Sequence, residues 1–242
     1  NAVSMARPAS TSATAGPRTF AGETLALLQE REVFGKDIGI VGVENMSVPF
    51  YEALSNELGD NLKRVDDIVA ELRSVKAPAE VELLRHASHL GDLGFQAMIE
   101  AARPGMRGIE VVAEGERVVR RGGADHAKFW MASGPPTTVE EMQLDLKPHE
   151  RVLQDGDFIG FGSYIVYKGY WSHGMRAGTL GKPSAYLEKV AKITRDAVDA
   201  GISVIKPGAP AGAIAKAIRE KAAESGWQLQ GGRAGHGNGM DY

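Results

Sequence analysis

The feature that most constrains this chain is an internal repeat. Ala102-Arg103-Pro104-Gly105 returns as Ile205-Lys206-Pro207-Gly208, 103 residues further on. At the same offset Ala97 maps onto Ala200, Ile99 onto Ile202, Val111 onto Ile214 and Gly123 onto Gly226. Each copy reads as helix, basic-Pro-Gly turn, second helix, Gly stop, then strand. Self-similarity at a fixed spacing is the signature of a structural unit used more than once. The expectation is a domain of two similar halves related by a pseudo-twofold axis, with a site in the cleft between them.

Between the copies the pattern changes to strand. Phe158 to Tyr167 is aromatic and β-branched, Lys168-Gly169 supplies a hairpin turn, and Tyr170 to Arg176 returns. The predicted architecture is α+β, an antiparallel sheet carrying two helix pairs. Upstream, Pro78 opens a long amphipathic helix running to Ile99, since proline is tolerated in a first helical turn. Before it, residues to about 75 read as a smaller α/β unit: a helix over 19–32, a buried strand over 36–42, a helix over 47–58 and another from Val65 through Leu72. The domain boundary falls between 75 and 76.

Composition removes several functional classes. With 28 Lys and Arg against 31 Asp and Glu the net charge is −3, and no polybasic stretch is present to neutralise phosphates, so nucleic acid is not the expected partner. Apolar runs fall far short of the ~20 residues a membrane span needs. The chain has no cysteine, which removes thiolate nucleophiles and Cys-ligated zinc. The first 17 residues are small and polar with no apolar signal core, and a cytoplasmic location is expected. Both ends read as cut: the chain opens at Asn1 and stops at a Gly-rich turn, Gly235 to Tyr242.

An ordered set of short motifs runs through the second part. Lys76-x-Pro78-x-Glu80 enters a helix; then come Ser133-Gly134, Arg151 with Gly156-Asp157, Gly169-Tyr170, Arg176, Lys206-Pro207-Gly208 and Gly235-His236-Gly237-x-Gly239. In order and approximate spacing the set resembles the creatinase/prolidase ("pita-bread") family, which includes Xaa-Pro aminopeptidases, prolidases, methionine aminopeptidases and creatinase. The resemblance implies a pita-bread domain over 76–242, apparently incomplete at its C-terminus, preceded in 1–75 by the C-terminal part of the family's smaller N-terminal domain. It also implies a homodimer.

The family's metallopeptidases hold two divalent ions with two Asp, one His and two Glu, to lower the pKa of a bridging water and polarise the scissile carbonyl. By resemblance the first Asp position is Gly162, the second is His173 and the His position is His236, while both Glu positions lie beyond Tyr242. No Asp or Glu occurs between Phe158 and Leu187, and hard divalent ions need such ligands. No dinuclear metal centre and no cofactor is therefore expected, with a single ion on His173, His236 and later carboxylates left as an alternative. Creatinase works without metal, but its His position falls here near Asp145 and its first Glu position on Met175, so its chemistry is not carried over either.

The residues left to carry chemistry are histidines and aromatics. His173 and His236 are the candidate acid–base pair. Trp130, Tyr164, Tyr170 and His126 are the candidate substrate-binding residues, suited to a planar or cationic ligand, although core packing is the ordinary role of a strand-type aromatic cluster. His86, His89 and His149 read as solvated, and Glu140, Glu141 and Asp145 as a solvated face that could still supply a carboxylate. The favoured function is a metal-independent hydrolase or lyase acting on a small, nitrogen-containing or dipeptide-sized substrate. An Xaa-Pro dipeptidase with a rebuilt metal site and a non-catalytic binding protein remain alternatives.

Overall fold

The computed structural model describes residues 19–135, 137–138, 150–228 and 235–240. The chain divides into two compact units, Asn1–Val75 and Lys76–Tyr242.

In the first unit, helix α1 (Phe20–Glu30) starts where the Thr19 hydroxyl accepts a hydrogen bond from the Gly22 amide at 3.1 Å. Strand β1 (Ile38–Ile40) pairs in parallel with β2 (Leu62–Arg64), Ile38 opposite Leu62. Helix α2 (Val48–Leu58), with Pro49 in its first turn, connects them, and α3 (Asp66–Ser74) follows. Ile40, Leu54 and Leu58 form the buried centre, with Leu25, Leu28 and Phe50 packed against it.

The second unit opens with α4 (Pro78–Ala101), whose first turn is closed by Glu80: its carboxylate accepts from the Ala77 amide at 2.8 Å. Helix α5 (Gly108–Arg121) returns, and both helices lie on a three-stranded antiparallel sheet of order β3–β4–β5. The strands are β3 (His126–Gly134), β4 (Phe158–Tyr167) and β5 (Tyr170–Thr179). The β4–β5 turn has positive φ at both Lys168 (49°) and Gly169 (82°), the two-residue hairpin geometry that follows the strands' twist. Phe95, Met98, Val111, Val119, Phe129, Phe161 and Ile165 fill the space between helices and sheet. Gly94 makes that contact possible: a Cβ there would lie 2.3 Å from Cζ of Phe129.

The second helix pair, α6 (Ala185–Ser203) and α7 (Ala211–Ala223), buries Ile193, Ala197 and Ala222 in a separate cluster with Ile218 and Trp227. The repeated turns share backbone geometry. Gly105 and Gly208 have φ of 90° and 83°, and Gly123 and Gly226 have 95° and 80°. The sequence expectation placed both helix pairs on the sheet. In the structure α4 and α5 share a core with it, whereas α6 and α7 bury their apolar sides mainly against each other.

Candidate functional site

The sheet has two chemically different faces. Side chains alternate along a strand, and residues opposite one another in an antiparallel pair share a face. Ser163 and Ile165 lie against Gly91 of α4, Gly174 lies against Phe95, and Phe129 against Gly94. These residues define the helix side. The other face carries three cross-strand rows: His126, Val166 and Trp171; Lys128, Tyr164 and His173; Trp130, Gly162 and Met175. Four of the residues expected from sequence, His126, Trp130, Tyr164 and His173, therefore share the open face.

His236 joins them from a distant part of the chain. Its segment is fastened to the outer edge of β5, where the Trp171 amide donates to the Gly239 carbonyl at 2.7 Å. His173 Nδ1 and His236 Nε2 are 3.1 Å apart, hydrogen-bonding distance. His236 Nδ1 lies 3.0 Å from the Gly237 carbonyl. The Tyr164 ring stacks on His173, with centroids 4.9 Å apart and planes inclined by 16°. Burial of His173, and secondarily its electrostatic interaction with His236, hold its pKa below the usual 6.5.

Trp130 occupies a particular place in this arrangement. Its indole lies over Gly162: a Cβ built on residue 162 would sit 2.0 Å from Trp130 Nε1. No side chain, and in particular no carboxylate, fits at 162 while the indole is there. By the resemblance drawn from sequence, His173 falls where the second Asp is expected. Among the described residues no three His, Asp or Glu side chains come together in a group able to hold a metal ion. The donors on this face, among the described residues, do not by themselves fit a dinuclear metal centre.

Tyr170 is not brought to this face. It belongs to the helix side, and its hydroxyl donates to Glu80 Oε1 at 2.9 Å. With the Ala77 amide, which contributes more, that bond holds the Glu80 pKa below the usual carboxylate range. His126 lies at the rim, exposed, its ring 6.2 Å from that of Trp171. His86 packs on Tyr167 on the helix side, with centroids at 4.2 Å. Glu140, Glu141, Asp145 and His149 lie outside the described residues. Lys128, next to Tyr164, was not singled out from sequence. Its spacing of two from both His126 and Trp130 was the signal that it shares their face.

Several of the shared motifs turn out to build the scaffold. The Arg151 guanidinium donates to the buried Asp157 carboxylate at 2.6 Å, and the Gln154 amide donates to its other oxygen at 2.8 Å, closing the turn into β4. Arg176 reaches Asp92 at 3.0 Å and lies 5.1 Å from the centroid of the Phe95 ring.

A three-stranded antiparallel sheet backed by two helices, with a histidine-bearing segment laid along its edge, defines an α+β fold of the pita-bread class. Residues 82–242 match the family described as metallopeptidase family M24, and the chain belongs to that family. Among curated proteins, the uncharacterised peptidase YqhT of Bacillus subtilis is 31% identical over 222 residues, covering 87% of this chain and 60% of its own length. An Xaa-Pro dipeptidase of Lactobacillus delbrueckii is 27% identical, covering 81% of this chain and 54% of its own. The solved Xaa-Pro dipeptidase of Bacillus anthracis superposes with a TM-score of 0.77 at 24% identity, over 93% of this chain and 62% of that one. The X-Pro aminopeptidase of Thermotoga maritima gives 0.76 at 23%, over 94% and 64%. The chain thus spans somewhat less than two thirds of the length of these relatives. Among the described residues no helix is long and apolar enough to cross a membrane.

Proposed function

We propose that this chain is a family hydrolase that cleaves a C–N bond of a small, nitrogen-containing molecule by histidine acid–base chemistry rather than with two metal ions. The observation that carries this reading is the 3.1 Å contact between His173 and His236, on a face where Trp130 fills the place of a carboxylate. In hydrolysis, His173 takes a proton from water as the water oxygen bonds to the electrophilic carbon. The C–N bond then breaks, and the proton passes to the departing nitrogen. Trp130 and Tyr164 supply an aromatic wall for a planar or cationic group, with His126 at its rim. A lyase reaction would use the same pair to remove a carbon-bound proton.

The same reading takes residues 1–75 as the C-terminal part of a creatinase-like N-terminal domain and 76–242 as a pita-bread domain with pseudo-twofold halves. It takes the whole protein as a cytoplasmic homodimer. The matched turn geometry at Gly105 and Gly208 supports the repeat. A second reading, an Xaa-Pro dipeptidase with a metal site rebuilt from other residues, is favoured by the Xaa-Pro dipeptidases among the relatives.

The test is turnover by the full chain of a panel of amides, Xaa-Pro dipeptides and amidino compounds, with and without EDTA. The proposal expects turnover that EDTA leaves intact and that His173→Ala lowers by about 10²-fold or more. Xaa-Pro hydrolysis abolished by EDTA overturns it in favour of the dipeptidase. Binding without turnover across the panel overturns it in favour of a non-catalytic binding protein.

A further inference from the structure

We infer that Lys76, Glu80 and Tyr170 are positioning residues: together they dock the 235–240 segment against β5 and so set where His236 stands. The inference rests on His236 belonging to the site, as read above. The segment needs such a hold. Gly235, Gly237 and Gly239 make it costly to order, and the Trp171–Gly239 hydrogen bond of 2.7 Å is small against that cost. Yet Gly239 is buried, while His236, three residues before it, is exposed. The end of the Lys76 side chain lies over Gly239: a Cβ built on residue 239 would be 3.3 Å from Lys76 Cε and 3.5 Å from its Nζ.

Lys76 is delivered there by the start of α4. The Glu80 carboxylate grips two elements at once: Oε2 accepts from the Ala77 amide at 2.8 Å, and Oε1 accepts from the Tyr170 hydroxyl at 2.9 Å. A helix cap alone would explain the first bond but not the second, nor the approach of Lys76 to Gly239. Tyr170 immediately precedes Trp171, whose amide holds Gly239. Two turns further along α4, the hydroxyls of Ser88 and Ser172 lie 3.1 Å apart, a second tie between the same helix and strand. Three motifs far apart in sequence, Lys76-x-Pro78-x-Glu80, Gly169-Tyr170 and Gly237-x-Gly239, thus meet and form one latch. Three residues of chain span at most about 10 Å. A Gly239 held in place therefore keeps His236 within reach of His173, 3.1 Å away.

The test is amide hydrogen exchange of the full chain, read at Trp171, with the amide of the buried Phe129 as reference. Trp171 should be protected in the unsubstituted protein. Lys76→Ala should speed its exchange about tenfold or more, and Tyr170→Phe about threefold or more, with Phe129 unchanged. Lys76→Arg, which keeps a long stem and the charge, should restore the protection. In Lys76→Ala the ring resonances of His236 should also move towards those of a solvated histidine. A Trp171 amide unprotected in the unsubstituted protein, or one indifferent to Lys76→Ala, would overturn the inference. So would equal acceleration at Phe129 and Trp171, which means general loss of stability, or His236 resonances that stay in place. If the latch behaves as expected but His236→Ala retains full turnover, the docking stands and the acid–base reading is what fails.

Discussion

On the helix side of the β3–β4–β5 sheet, Phe129, Ser163, Ile165 and Gly174 meet α4 at contact distance. On the opposite side, the same three strands present His126, Lys128, Trp130, Tyr164 and His173. One face is selected for volume and the other for ring chemistry, although their residues alternate one by one along the chain. The difference teaches where to look for each property. Substitutions on the helix side should act on stability, and those on the open face on chemistry, with Gly162 the position where the two concerns meet.

The largest effect is expected on the packed side. Phe129, 4% exposed and edge-on to Phe95 at 5.4 Å, should cost about 3–5 kcal/mol when replaced by Ala, measured by denaturant unfolding. A loss below about 1 kcal/mol would mean that the two faces are not distinguished by packing. On the open face, His173→Ala should lower the maximal rate about 10²-fold, equivalent to about 2.7 kcal/mol of activation free energy. Its stability should change by only about 0.5 kcal/mol. If the variant unfolds instead, His173 belongs with the structural set.

Gly162→Asp sharpens the comparison, because the 2.0 Å approach of Trp130 leaves no room for a side chain. It should destabilise by about 2 kcal/mol or more, through overpacking and a poorly solvated carboxylate. Trp130→Ala in the same chain should recover a large part of that loss, a coupling that a double-mutant cycle measures. Strict additivity of the two changes would show that the indole does not hold the position.

The smallest effect concerns pH. The folded-state pKa of His173 is lowered from 6.5. As pH falls below that value, the unfolded chain takes up a proton that the folded ring accepts less readily, so stability falls. His173→Gln should flatten this acid limb of the stability profile, and an unchanged slope would place its origin elsewhere.

Much of this was legible in the residues, and the remainder was hidden for identifiable reasons. Pro78 marked the start of α4 because its ring suits a first turn, and Lys168-Gly169 marked the hairpin because Gly169 takes positive φ without steric cost, Lys168 following it there. Strand β2 was missed: Leu62-Lys63-Arg64 is too short and too charged to display alternation. Tyr170 was grouped with Tyr164 by composition, yet it lies three residues before His173, an odd number that puts it on the other face of a strand. The alternation held that answer. The contact between Trp130 and Gly162 was not countable, since the register of β3 on β4 crosses the long connection over 135–157. His173 and His236 were paired only through the family resemblance, because 63 residues of chain separate them.

The central claim is that histidines and an indole stand on the open face where a two-ion site would require carboxylates. Its most direct test is the metal stoichiometry of the full chain, stripped with chelator and titrated with manganese, cobalt or zinc, alongside His236→Ala. The account predicts less than one equivalent bound and no change on substitution. Two equivalents, lost in His236→Ala, would contradict it.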